Sequence, residues 1–276
     1  MYPSMLAAKS NAKNYLKGNF VSAVAVSLVF VSVVCLVFML RALIESLFKI
    51  GDTSFALTVD ILHPIKLLGL LTRSAVTLAS FCTLIGPVYL GVFRWFWYLT
   101  ADRVLPVGQV FYYYSKGIYK KTLGFILHFS LRVLVNSFLF FSPYILTVAL
   151  SSPPLYRLFG GTVPIFMASL AHLTTLFSIV GAALVIWYLF RFFLIVPIYC
   201  NDDSITINEA VLLARHFSYY TASGYFSFLC SFLGWFSLCL FAAPIVYVLP
   251  FFFSANAMYC RFALNYGVGI NQFQKK

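Results

Sequence analysis

Apolar residues in this chain run together in long blocks separated by short polar stretches, and each block marks a candidate element. The run from Phe20 to Leu40 contains no charged residue. At 1.5 Å per residue it reaches about 30 Å, the depth of a bilayer core. Further blocks at 67–98, 124–150 and 164–190 predict three more membrane-crossing helices. The second is longer than a crossing needs, with Gly86-Pro87 as its expected kink. The apolar tract after Tyr225 is too long for one crossing and predicts two, at 226–241 and 245–265, with Pro244 at the corner.

Between the blocks the spacing turns amphipathic. Over residues 5–17, Lys9, Lys13 and Lys17 share one helical stripe, beside a second of Met5, Ala8, Ala12 and Leu16, which predicts a helix lying on the membrane surface. The run that follows is longer than a signal-peptide core and ends at Arg41 instead of a small-residue cleavage site, so it reads as a crossing and not a cleavable signal. Residues 107–121 repeat the theme: Val107, Val110, Phe111, Tyr114 and Ile118 recur at helical spacing beside Lys116, Lys120 and Lys121, predicting a second surface helix. Thr206 and Glu209 stand at capping-box spacing and open a third, over 207–223. The expected fold is all-α: a polytopic transmembrane helix bundle of about six spans with short interfacial helices, forming one integral membrane domain over residues 1–276.

Composition agrees. The chain is 62% hydrophobic and 9% charged, with a mean hydropathy of +0.93. A soluble domain needs roughly a quarter of its residues charged, so a globular soluble enzyme, a secreted disulfide scaffold and a disordered chain are all excluded. Lys plus Arg number 19 against 7 Asp plus Glu. On so few ionisable groups that excess reads as topology, since basic residues in short loops stay cytoplasmic. Six spans with a cytoplasmic N-terminus put Lys9, Lys13, Lys17, Arg94, Arg103, Lys116, Lys120, Lys121, Arg191, Arg215, Arg261, Lys275 and Lys276 inside. Arg41, Lys49, Lys66, Arg73 and Arg157 fall outside. Five spans would move the last three of the inner group outward and weaken the bias, so six spans with both termini cytoplasmic is the expectation. The partners implied are the lipid bilayer and anionic phospholipids; nucleic acid is not among them. Of six cysteines, Cys35, Cys82, Cys230 and Cys239 lie within apolar runs and read as small buried hydrophobes. Neither Cys200 nor Cys260 has metal-ligand spacing, and no cofactor is implied.

Five phrases carry a resemblance: LKGNF at 16–20, IGPVYLGVFRWFWYLTADR at 85–103, RFFLIVPIYCNDDSITINEAVLLARHF at 191–217, SFLGW at 231–235 and LPFFFSANAMY at 249–259. In this order they resemble the bacterial integral-membrane family catalogued as domain of unknown function nine-seven-five. The 191–217 segment is also similar to membrane domains beside some bacterial glycerophosphodiester phosphodiesterases, although no hydrolase domain is present. Ala214 stands where the family often has Ser, and His216-Phe217 replaces a more polar pair. The resemblance implies a multi-pass protein of the bacterial cytoplasmic membrane and implies no mechanism.

The main polar constellation inside the blocks is His128, Arg132 and Asn136, spaced by four and so on one helix face. A charge at membrane depth marks a functional site by default. The plainer reading is that Arg132 snorkels or caps a carbonyl at a helix crossing. His172, with Ser169 and Thr175, lies at comparable depth on the next span, so a polar pocket between spans three and four is one candidate site. Asp202, Asp203 and Glu209 suggest a cation site, or more simply acids at a helix start. Nucleophile–base sets, Gly-rich phosphate loops and His-Glu-x-x-His are missing from the sequence. The leading expectation is a non-enzymatic membrane protein whose lysines Lys9, Lys13, Lys17, Lys116, Lys120 and Lys121 contact anionic headgroups and whose basic helices engage protein partners. The alternatives are a small-solute or lipid transporter using the polar pocket, and a membrane enzyme acting on lipid headgroups through the three acids.

Overall fold

The computed structural model describes residues 4–47, 72, 75–150, 164–239 and 244–274. All regular structure among the described residues is helical. Five helices are long and apolar enough to cross a membrane, Phe20–Leu43, Ala75–Leu99, Tyr119–Phe140, His172–Asn201 and Ile245–Val268. The chain is an all-α, multi-pass membrane protein. In order its elements are α1 (Met5–Lys17), α2 (Phe20–Leu47), α3 (Ala75–Leu99), a 3-10 segment (Val107–Tyr114), α4 (Tyr119–Phe140), α5 (Ser142–Leu150), α6 (Pro164–Phe190), α7 (Ile195–Asn201), α8 (Ile207–Ser218), α9 (Ala222–Cys230), α10 (Leu233–Leu238) and α11 (Ile245–Gln274). They fall into two compact units. One comprises Met1–Met39, Leu78–His128 and Phe190–Lys276, the other Leu40–Thr77 and Phe129–Leu189.

The first unit is built around α3, against which the 3-10 segment, α7 and α11 pack. Val92, Trp95 and Phe96 have no exposed surface. Gly91 permits the closest approach: a methyl group there would lie 1.8 Å from the Val110 carbonyl oxygen, so the 3-10 backbone rests directly on the helix. This corrects the surface helix expected over 107–121. A three-residue period turns Val110 and Tyr113 inward together, and α4 begins only at Tyr119. The expected kink in α3 is a π-turn, Phe81–Ile85, immediately before Gly86-Pro87. Pro87 lacks the N–H that would have reached back to Thr83. The Tyr114 hydroxyl instead donates to the Thr83 and Leu84 carbonyls at 3.1 and 2.9 Å.

Helix α1 forms where expected, but its apolar stripe of Ala8, Ala12 and Leu16 is buried against α11 and not laid on a membrane. The expected helix over 207–223 stops at Ser218. Its capping box is complete, with Thr206 Oγ1 accepting from Glu209 N and the Glu209 carboxylate from Thr206 N. The expected single span at 226–241 is two short helices broken at Ser231-Phe232, with residues 240–243 outside the described residues. Ring contacts step from Phe228–Tyr259 (4.9 Å) through Phe232–Phe252 (5.3 Å) to Trp235–Tyr247 (6.2 Å). The broken pair therefore runs antiparallel along α11.

In the second unit the block expected at 124–150 is interrupted. Pro143 cannot donate to the Leu139 carbonyl, and the Ser142 hydroxyl does so in its place at 2.7 Å. A Cβ on Gly181 of α6 would lie 2.9 Å from Phe141 Cδ1, so the two helices meet closely at the interruption. Of the four tryptophans, Trp95 and Trp97 are buried in the first unit, whereas Trp187 and Trp235 are exposed.

Candidate functional site

The intramembrane constellation is only partly assembled. His128 is exposed and belongs to the first unit; Arg132 and Asn136 are half-buried in the second. Asn136 Nδ2 donates to the Arg132 carbonyl at 2.8 Å and to the Tyr188 hydroxyl on α6 at 3.2 Å. Polar contact between the third and fourth expected spans thus exists, with Tyr188 as its partner. His172 and Thr175 are exposed, and the Ser169 side chain lies outside the described residues. A single bond of this kind contributes about 0.6–2 kcal/mol in a membrane and has the character of a helix clamp.

The six lysines divide differently from the expectation. Lys13, Lys17, Lys116, Lys120 and Lys121 are exposed. Lys9 is turned into the first unit, donating to the Ser231 carbonyl at 3.3 Å with its ammonium 4.4 Å from the Phe232 ring centroid. It caps the break between α9 and α10, and burial holds its pKa below the ordinary lysine value. Asp202 and Glu209 are exposed and bonded to their own turns: Asp202 accepts from Ser204 N and Oγ, which holds its pKa low. Glu209 is likewise lowered by the Thr206 N–H. No group of three metal-ligating side chains occurs among the described residues.

The densest polar network lies where α3 ends, and the sequence reading missed it. Asp203 accepts from the Tyr112 hydroxyl at 2.8 Å and the Tyr113 hydroxyl at 3.1 Å. The Arg94 guanidinium stacks on the Tyr112 ring, 3.4 Å from its centroid, and Nη1 donates to Gln109 Oε1 at 3.4 Å. Trp95 Nε1 donates to the Leu105 carbonyl at 2.7 Å. Arg261 from α11 donates through Nη2 to the Trp97 carbonyl at 2.7 Å and covers the Trp97 ring, placing a cation at the negative end of α3. The signal that would have found this network is the triplet Tyr112-Tyr113-Tyr114 in an apolar chain, because each buried hydroxyl there must find an acceptor. The chain matches no family model, no curated protein and no solved structure.

Proposed function

We propose that this chain is a non-enzymatic, multi-pass protein of a bacterial cytoplasmic membrane that engages anionic phospholipid and protein partners by its basic surface. The observation that carries the reading is the excess of exposed cations over exposed carboxylates among the described residues of the first unit: Lys13, Lys17, Arg103, Lys116, Lys120, Lys121 and Arg215 against Asp102, Asp202 and Glu209. Each lysine near an anionic surface is worth about 1 kcal/mol, enough in combination to select lipid. Membership in the family that the five phrases resemble is part of this proposal. So is the topology of six crossings with both termini cytoplasmic, which is supported by the antiparallel course of α9–α10 along α11. If α11 crosses the membrane toward the α3 end where Arg261 binds, the broken pair is the crossing that carries the chain away from it.

Purified protein should retain phosphatidylglycerol or cardiolipin in preference to phosphatidylcholine, and replacing the five exposed lysines with glutamine should abolish the preference. Equal retention of both lipid types by the unaltered protein would overturn the proposal.

A further inference from the structure

Arg94 is incompletely satisfied. Its guanidinium plane is fixed by the Tyr112 ring at 3.4 Å and the Tyr98 ring at 5.2 Å. Nη1 makes one long contact to Gln109, and Nε is buried with no hydrogen-bond partner. Among the described residues no carboxylate pairs with it; Asp203, which shares Tyr112 with it, is taken up by two tyrosine hydroxyls. A guanidinium has five N–H donors and no acceptor, so the vacant N–H has to be met from outside the side chain. A buried donor left without an acceptor calls for a missing partner.

The chemistry of that partner follows from the shape of the donor. Nε and the adjacent Nη form a planar fork that matches two oxygens of one phosphate or carboxylate, and the two tyrosine rings hold the fork in one orientation. Arg94 precedes the end of α3 at Leu99 by five residues, about 7.5 Å along the axis, in a turn carrying Trp95, Trp97 and Tyr98. The candidate crossing ends at Leu99 and is followed by exposed Asp102 and Arg103, which puts Arg94 near headgroup level, where the abundant oxyanion is the phosphodiester of a phospholipid. Gln109 accepts from Nη1, on the Cδ side of the guanidinium, and so does not occupy the Nε edge. We propose that the Nε edge of Arg94, framed by Tyr98, Gln109 and Tyr112, is a binding site for a phosphate oxyanion supplied by a phospholipid headgroup. This inference rests on the membrane placement of α3 and not on the lysines. Anionic and zwitterionic phospholipids both carry the phosphodiester, so the site takes either.

The test uses the full chain in uncharged detergent, titrated with short-chain phosphatidylcholine, short-chain phosphatidylglycerol and inorganic phosphate, with the melting temperature as readout. Both lipids should raise it. In Arg94→Gln the apparent affinity should fall about tenfold or more, and Arg94→Lys, which keeps the charge but loses the fork, should fall between the two. Gln109→Glu installs a carboxylate beside the guanidinium; it should melt higher than the unaltered protein without lipid and respond weakly to lipid. That variant and Arg94→Lys carry the test if Arg94→Gln does not fold. An undiminished lipid response in Arg94→Gln, or a full response in Gln109→Glu, overturns the site. An equal Arg94-dependent response to inorganic phosphate overturns the lipid as its source. Because the five-lysine variant leaves Arg94 intact, failure of the charge-selection proposal and failure of this one are separately visible.

Discussion

Tyr112, Tyr113 and Tyr114 are neighbours in sequence, yet the first two hydroxyls serve Asp203 while the third serves two main-chain carbonyls of α3. Burial, and then the Asp203 carboxylate it donates to, raises the pKa of Tyr112; burial pushes that of Tyr114 up to about 12. The folded protein thus holds these protons more tightly than the unfolded chain, whose tyrosines titrate near pH 10. Their stabilising contribution is complete below about pH 10 and is lost as the pH rises toward 12. Melting curves across that window should show the loss, with phenolate absorbance appearing late, and Tyr114→Phe should reduce it. Lys9 acts in the opposite sense. Its lowered pKa means that the unfolded chain binds the proton better, so its desolvation cost falls as the pH climbs toward the ordinary lysine value of 10.5. At Gly91 space decides. Gly91→Ala drives a methyl into the Val110 carbonyl and should cost about 1–3 kcal/mol or more, read as a lower melting temperature in detergent. A normal melt would show that the 3-10 segment can lift off α3.

Helices α3 and α4–α5 each contain a proline, and a hydroxyl takes up the carbonyl that it abandons. Tyr114→Phe should therefore lower stability by about 1–3 kcal/mol. Pro87→Ala restores an N–H one turn after Thr83 and should recover part of that loss in the double variant; strict additivity would separate the two effects. For α8, Thr206→Ala removes the cap and should cost about 1 kcal/mol, with hydrogen exchange rising first at Ile207–Ala210. The run from Phe20, the start of α1 and the Thr206 capping box were legible in the sequence, because apolar length, stripe spacing and cap chemistry are local. The breaks at Phe141 and Ser231 were not, since they depend on which neighbour can satisfy a carbonyl. The same limit applies to 107–114, where α and 3-10 periods place nearly the same residues inward and only the bare Gly91 on another helix selects between them. Lys9 was legible as part of a basic stripe, and its partner, a carbonyl 222 positions away, was not.

Across the whole chain, all five phrases that carry the family resemblance fall within the first unit, which also holds the Arg94–Tyr112–Asp203 network and the α1–α11 packing. The second unit was read from apolar length and from the polar positions Arg132, Asn136 and His172. Substitution should divide in the same way. Phe96→Ala, in the packed interior, should cost about 3–5 kcal/mol, whereas Leu131→Ala, Val135→Ala or Phe138→Ala on the exposed face of α4 should shift the detergent melting temperature little. In the proposed six-crossing topology, reporters fused at the two termini read the same side, and opposite readings would remove α9–α10 as a crossing. The uneven burial of the tryptophans makes the chain its own optical gauge of where lipid touches it. In bilayers whose acyl chains carry bromine, Trp187 and Trp235 emit within reach of the quencher, whereas Trp95 and Trp97 are shielded by protein on every side. Fluorescence should therefore decay in two populations, and loosening of the first unit would register as the shielded population becoming quenchable, without any label added.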